Sequence, residues 1–326
     1  MILPSYPFRV EIEILSKCNL NCVYCYAKPF SNTIPEKDNI EYVINKTNDE
    51  VKPFELILLG GEPFLRKDIF DVINIALNGN RRVGISTNGT LLFHLPEEKL
   101  KILRDLSSEL KLTLQISIDS SNPIINDKTR GFGRATLKSM EVLEKNDIQF
   151  NIGIVITKNN YSDAINTIME FARYKNLTEI NLEPLQSTFL NQNTTSDLKV
   201  DDAEMTALYY DTSKKLKSVG SKIKINGVVQ DCKAFENGTV TDTYGFKTCT
   251  AGLFRAGVFV NGDVSPCVTL RSTVLGNLHN ESWKEIWKRA TSRFLEINNS
   301  KDYENGRQCT AINLLRKETK RTKNTY

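Results

Sequence analysis

Histidine is almost missing from this chain. Only two histidines, His94 and His279, occur in 326 residues, far apart in sequence. That weighs against a zinc site built on imidazoles and against a histidine general base. No run of about 18 apolar residues occurs, so no membrane-spanning helix is expected. The first residues lack the charged, apolar, small-residue order of a secretory signal, and a cytoplasmic protein is the expectation. Charge excess is lacking too. The formal net charge of +4, from 43 basic and 39 acidic residues, is too slight to indicate nucleic acid or an acidic membrane as a partner. The one local excess, Lys317, Lys320, Arg321 and Lys323 near the carboxyl terminus, reads as a solvated tail. What is present is a hydrophobic content of 40%, enough for a large core and a smaller satellite domain. There are also seven cysteines. Without an export signal they are not expected to form disulfides, and an odd, clustered count points to metal or redox chemistry.

The first two-thirds of the chain reads as a repeated strand–helix unit. Phe8, Val10, Ile12 and Ile14 alternate with Arg9, Glu11 and Glu13, the pattern of a half-buried strand. Helical spacing follows over Glu36 to Glu50, from Ile69 to Ala76, and after Pro96 through Leu100, Leu103 and Leu106. Strand patterns lie between them at Phe54 to Leu59, Val83 to Thr87 and Leu112 to Ile118. The order continues with a helix (Ala135 to Lys145), a strand (Phe150 to Thr157), a helix (Tyr161 to Lys175) and a strand (Glu179 to Leu185). Alternating strands and helices imply an α/β fold with a parallel sheet and right-handed crossovers. Six units are too few to close an eight-fold barrel, so an open, partial barrel is expected, with its site at the carboxyl ends of the strands. Gln186 to Asp202 is polar and reads as a linker, followed by a helix to about Val219. Beyond Ile223 the grammar changes. Phe254 to Val260 and Val264 onward flank Asn261-Gly262, a strong hairpin signal. Trp283, Ile286, Trp287 and Phe294 form one stripe of a last helix. The expected divisions are a core over 1–190, a linker and helix over 191–224, a small α+β domain over 225–310 and a basic tail over 311–326.

Chemistry concentrates in the loop after the first strand, Ser16-Lys17-Cys18-Asn19-Leu20-Asn21-Cys22-Val23-Tyr24-Cys25-Tyr26. The cysteine spacing also suits one face of a helix, but Asn19 and Asn21 are poor interior helix residues. A zinc site needs a fourth ligand, and no histidine is near. The C-x-x-x-C-x-x-C run, with Tyr24 before its last cysteine, resembles the signature of the radical S-adenosylmethionine (SAM) superfamily. That resemblance implies a 4Fe–4S cluster on Cys18, Cys22 and Cys25, with the fourth iron left open to chelate SAM. It implies reductive cleavage of SAM to a 5′-deoxyadenosyl radical that takes a hydrogen atom from substrate, the cofactor supplying the hard chemistry.

Other strand ends supply supporting loops. Gly60-Gly61-Glu62-Pro63 resembles the family motif that binds the SAM amino group, with Glu62 offering an acceptor to an ammonium. Ser86 and Asn88 end the third strand, and Ser117 and Asp119 the fourth. In the family these ends face the ribose and the methionine carboxylate, and Arg130 resembles a basic residue that pairs with that carboxylate. Each also fits ordinary turn chemistry or surface charge. Gly153 and Ile154 on the fifth strand are placed beside the adenine, although a strand glycine also marks a bulge. Glu183 and Gln186 are candidates to face the substrate, with a structural role as the alternative.

Cys249, Gly262, Cys267 and Cys309 resemble the SPASM/twitch extension of radical SAM enzymes, which implies an auxiliary 4Fe–4S cluster. Cys232 is its fourth ligand, a hydrogen donor to a substrate radical, or an idle thiol. Four unrelated cysteines or a structural zinc site are the alternatives for the whole set. Fewer cysteines follow Cys267 than in the longer SPASM pattern, so a single auxiliary cluster is expected. The extension implies a peptide or protein substrate first, and oxidation or epimerisation of a cyclitol or amino sugar second. Cys18 lies too near the start for a preceding leader-binding domain, which leaves room for a separate peptide-binding protein. The resemblance also implies an electron donor such as flavodoxin or ferredoxin. A non-catalytic iron–sulfur or zinc scaffold is the reading from another class. Anaerobic reconstitution should load roughly eight irons per chain, two 4Fe–4S clusters. The Cys18→Ala, Cys22→Ala, Cys25→Ala triple variant should keep about four. An iron assay that finds no difference between them sinks the assignment.

Overall fold

A computed structural model describes residues 4–28, 39–79, 82–185, 195–227, 251–271 and 273–298, with side chains to residue 292. The strands are β1 (Arg9–Leu15), β2 (Glu55–Gly60), β3 (Arg82–Thr87), β4 (Leu112–Ser117), β5 (Phe150–Ile156), β6 (Leu177–Pro184), β7 (Lys224–Gly227), β8 (Arg255–Val258), β9 (Asp263–Ser265) and β10 (Gly276–Asn277). The helices are α1 (Ile40–Glu50), α2 (Ile69–Leu77), α3 (Glu97–Ser108), α4 (Pro123–Asp127), α5 (Gly133–Lys145), α6 (Ala164–Phe171), α7 (Asp202–Ser218) and α8 (Trp283–Asn298). All strands join one ten-stranded sheet in the order β10-β9-β8-β1-β2-β3-β4-β5-β6-β7. From β8 to β7 every neighbouring pair is parallel, and only β9 runs the other way, pairing antiparallel with both β8 and β10.

The six expected units are present and form an α/β partial barrel. Two strands extend it. β7 follows α7 and pairs with β6. β8, from the carboxyl-terminal extension, pairs with the free edge of β1 in register Arg9↔Arg255 to Ile12↔Val258. Neither pairing was legible in advance, because Lys-Ile-Asn-Gly is too short and polar to read as a strand, and the hairpin pattern at Phe254 to Val260 does not reveal a third partner. The Asn261-Gly262 hairpin does form. Gly262 sits at φ +83°, and a side chain there would collide with His279. The short helix α4 is also new; Asn122 caps it by accepting from the Ile124 N–H at 2.9 Å, and Pro123 opens it.

One sheet face is apolar. Val10, Ile12 and Ile14 pack with Val43, Ile44 and Ile73 of the helices in the main core. The reading of β1 as half-buried is corrected: Glu11 and Glu13 are only 6% and 3% exposed. They lie on the second face, which curves inward. Glu183 on β6 lies within electrostatic range of Glu11 and Arg9 on β1. Five strand spacings separate those strands along the sheet, roughly 24 Å when flat, so only curvature brings them together. The sheet therefore wraps around a polar lumen. Its walls carry Glu11 and Glu13 (β1), Gln115 and Ser117 (β4), and Asn181 and Glu183 (β6), each register-matched to neighbours on the same face.

The extension is pinned to the core by α8. Trp283, Ile286 and Trp287 are buried in the main cluster. The Trp283 indole N–H donates to Thr47 Oγ1 on α1 at 3.2 Å, and its backbone N–H donates to Glu50 Oε2 at 2.7 Å. Trp287 Nε1 donates to the Pro4 carbonyl at 3.2 Å. Trp283→Ala should destabilise the protein by about 3–5 kcal/mol, while Trp283→Phe keeps most of the packing and loses chiefly one hydrogen bond, about 1 kcal/mol. Denaturant melts of the two variants check this order.

Candidate functional site

The cysteine loop leaves β1 at the carboxyl edge of the sheet and is bound to the ends of β2, β3 and β4. Its first tie is to β2. Gly61 N–H donates to the Leu15 carbonyl at 2.6 Å and Glu62 N–H to the Lys17 carbonyl at 3.0 Å. A Cβ on Gly60 would fall on the Leu15 carbonyl, and one on Gly61 on the Lys17 carbonyl. These glycines therefore serve the close approach of strand end and loop. Arg66 Nη1 adds a bond to the Ile14 carbonyl at 2.9 Å.

Glu62 is fully buried. Its carboxylate accepts from Phe64 N at 3.0 Å, Thr87 Oγ1 at 2.6 Å and Asn88 N at 2.8 Å. Burial pushes its carboxyl above the ordinary range while these donors pull it back. A carboxylate offers about four acceptor positions, so about one remains for a ligand beyond the three that the protein fills. Pro63 is buried at the head of the short turn that Glu62 caps. Asn88 links β3 to the loop, donating from Nδ2 to Asn19 Oδ1 at 2.9 Å and to Cys18 Sγ at 3.9 Å. Asn19 Nδ2 in turn donates to Thr90 Oγ1 at 2.8 Å.

Asp119, after β4, is the other anchor and is also fully buried. Its Oδ2 accepts from Tyr24 OH at 2.6 Å and Thr129 Oγ1 at 2.7 Å. Its Oδ1 accepts from Arg130 Nε at 2.9 Å and Val155 N at 3.2 Å. Asp119 thus holds protein groups and does not itself present to a ribose. Arg130 lies over the Tyr24 ring, 5.3 Å from its centre. Its Nη groups make no hydrogen bond among the described residues, which leaves them for an anionic ligand. Val23 N–H donates to the Thr129 carbonyl at 2.9 Å.

The three sulfurs are half-buried and within electrostatic reach of one another. Burial raises the Cys18 thiol, partly offset by the Leu20 N–H that donates to its sulfur at 3.4 Å. Burial pushes the Cys22 thiol up to about 11 against the pull of Arg130, with Cys25, Asp119 and Cys18 adding to the rise. Three soft donors on one loop, with N–H groups aimed at Cys18, fit iron, which displaces thiol protons on binding. Among the described residues no group of three or more His, Cys, Asp or Glu is gathered as ligands of a single ion.

Ser86 and Ser117 sit on the lumen face at the ends of β3 and β4. Gly153 faces the lumen, but a Cβ there would lie 2.9 Å from Gln115 Nε2 and 3.4 Å from Glu183 Oε1. Its bareness lets those side chains meet across β5. Ile154 points the other way, into the helix-side core, so its side chain cannot flank an adenine in the lumen. In the extension Cys267 is buried in a small cluster with Ala251, Val268 and Leu270, against which Tyr26 and Leu59 pack. Tyr26 therefore stands between the cysteine loop and Cys267, and burial raises its phenol well above the ordinary value. Cys232, Cys249, Cys309 and Gln186 lie outside the described residues. Thr87, Thr129, Tyr26 and Gln115 were given no role in the sequence; for Gln115 the polar alternation within an otherwise apolar strand was the signal.

The family model of the radical SAM superfamily matches residues 12–172, and that of the SPASM iron–sulfur cluster-binding domain matches 249–311. An AdoMet-dependent heme synthase of Methanosarcina barkeri is 28% identical over 302 residues, 88% of this chain and 84% of that protein. A probable GTP 3′,8-cyclase of Methanocaldococcus jannaschii is 32% identical over 130 residues, 38% of this chain and 40% of that protein. Among solved structures, Streptococcus suis SuiB bound to S-adenosylmethionine superposes with TM-score 0.74 at 15% identity, covering 94% of this chain and 72% of that one. The peptide-bound anSMEcpe gives TM-score 0.68 at 19% identity, covering 95% and 88%.

Asp119→Ala removes the acceptor of four donors and leaves Arg130 uncompensated. It should cost about 3–5 kcal/mol and lower reconstituted iron content. Tyr24→Phe removes one hydrogen bond and should cost about 1 kcal/mol. Equal thermal midpoints and iron loads in the two variants would contradict the anchor role of Asp119.

Proposed function

For a chain that belongs to the radical SAM superfamily and carries its SPASM iron–sulfur extension, we propose that the substrate is a peptide, from which a hydrogen atom is abstracted within the polar lumen. The protein is an enzyme, and its cofactors are SAM, the SAM-binding 4Fe–4S cluster and auxiliary iron–sulfur. Together, SAM and its cluster supply a 5′-deoxyadenosyl radical when bound. The residues of the chain hold and orient. Cys18, Cys22 and Cys25 take three irons in this proposal. Asn88 and the Leu20 N–H steady the Cys18 sulfur. The Arg130 Nη groups meet the SAM carboxylate, the remaining acceptor of Glu62 meets its ammonium, and Ser86 and Ser117 meet the ribose hydroxyls. Cys267 takes an iron of the auxiliary cluster together with Cys232, Cys249 and Cys309. A reduced flavodoxin or ferredoxin is the electron source, and the cytoplasm is the setting; no described helix is long and apolar enough to cross a membrane.

The lumen carries the peptide reading. Its walls present Glu183, Gln115, Asn181 and Asn226, groups suited to the donors and acceptors of a peptide. The fold neighbours SuiB and anSMEcpe, whose structures were solved with the precursor peptide SuiA and with the Cp18Cys peptide respectively, lend support. A tetrapyrrole is the second reading, favoured by 28% identity to the heme synthase across most of the chain. Glu183 on the inner face, which has no cation within ion-pair distance among the described residues, disfavours an anionic macrocycle, which calls for basic and apolar walls.

Reduced, reconstituted enzyme should convert SAM to 5′-deoxyadenosine, and the triple cysteine variant should not. Short peptides from cells grown on deuterated amino acids should pass deuterium into the 5′-deoxyadenosine. Turnover stimulated by an iron porphyrin, with no deuterium from peptides, overturns the peptide reading and supports the tetrapyrrole.

A further inference from the structure

The inner carboxylates are answered unequally. Glu11 faces Arg9 Nε at 3.5 Å and Arg255 Nη1 at 3.7 Å. Glu13 pairs with Arg271, and Asp119 with Arg130 at 2.9 Å. Glu183 has no cation within ion-pair distance among the described residues. Its one hydrogen bond is long: Gln115 Nε2 donates to Glu183 Oε1 at 3.5 Å.

That bond ends a chain of amides running one way across the lumen. Asn226 Nδ2 on β7 donates to Asn181 Oδ1 on β6 at 3.1 Å. Asn181 Nδ2 donates to Gln115 Oε1 on β4 at 3.2 Å, and Gln115 turns its own N–H toward Glu183. The chain crosses β5 only because residue 153 is glycine. Every dipole in it points a donor toward the carboxylate, which holds Glu183 in place without neutralising it. Glu183 is also solvent-exposed although protein crowds it: burial is the first cause raising its carboxyl, with Asp119 and Glu11 adding to the rise and Arg130 and Arg9 opposing it. A side chain both accessible and surrounded lines a concavity. It sits at the carboxyl end of β6, on the rim where the cysteine loop and Arg130 also lie.

We propose that Glu183 is the substrate anchor of the lumen, taking a cationic nitrogen, an amine or a guanidinium, through a charge-assisted hydrogen bond. On the peptide reading, on which this inference builds, that group is a lysine or arginine side chain near the carbon attacked. The amide chain serves as positioning: Gln115 keeps the carboxylate turned to the ligand, and Gly153 keeps the way open. A purely structural Glu183 would have its acceptors filled by the protein, as Asp119 does.

The probes are two dye-labelled glycine hexapeptides, one with a single arginine and one with a single glutamate. Their binding to reconstituted holoenzyme with SAM is read anaerobically by fluorescence anisotropy. Wild type should bind the arginine peptide roughly tenfold more tightly, the worth of one charge-assisted hydrogen bond. Glu183→Gln should abolish the preference, and Glu183→Arg should reverse it toward the glutamate peptide, which a folding defect cannot mimic. An arginine preference that survives in Glu183→Gln, or equal binding of both peptides by wild type, overturns the anchor and leaves the peptide reading standing. If neither peptide binds while agmatine binds wild type and not Glu183→Gln, the anchor holds and the peptide reading falls.

Discussion

A backbone cannot come within hydrogen-bonding distance of another over several residues unless no side chain stands between. Gly60 and Gly61 meet that condition where β2 ends, and the cysteine loop settles on them through Leu15 and Lys17. Glu62 follows and is sealed inside, its charge held by the Thr87 hydroxyl and two backbone N–H groups. A buried carboxylate with that many donors fixes where the ends of β2 and β3 lie relative to each other. Asp119 does the same from the far side through Tyr24, Thr129, Arg130 and Val155. The three cysteines hang between these two buried charges, so a loop with no regular structure of its own is placed by strands that have it.

The two faces of the sheet divide the labour. The outer one is aliphatic and holds the helices; the inner one is polar and leaves a lumen open. The extension meets both. Its helix α8 locks onto α1 by Trp283. On the inner side Arg271, lying over the Phe259 ring, reaches Glu13, which also accepts from Ser16 at the start of the cysteine loop. Tyr26 and Leu59 cover Cys267 from the core side. The loop and the auxiliary cysteine therefore share neighbours.

Much of this was legible in the sequence. Apolar periodicity located the strand–helix units, because each strand of a parallel sheet must bury an aliphatic face. Cysteine spacing pointed to the loop after β1 as the candidate site. The charges on β1 misled, since Glu11 and Glu13 look like solvent-facing residues until the sheet is known to curl, and curvature is a property of all the strands together. The Gly60-Gly61 pair read as a ligand cradle, yet its glycines first satisfy a contact within the chain. Gly153 and Ile154 read as neighbours with one task and prove to face opposite sides, as the strand alternation requires. The edge pairing of β8 left no local trace, for the strand pattern at Phe254 to Val260 carries no mark of a partner on β1.

That pairing bears on how the chain comes into being. β1 is synthesised well before β8, with the other strands and the helices of the core between them. Until Arg255–Val258 arrives, one side of an aliphatic strand carries unsatisfied amide and carbonyl groups, the condition under which strands of separate molecules join. The nascent core is therefore an incomplete object whose β1 edge is closed by the extension that carries Cys267, and truncation ahead of β8 exposes a sticky border as well as removing that extension.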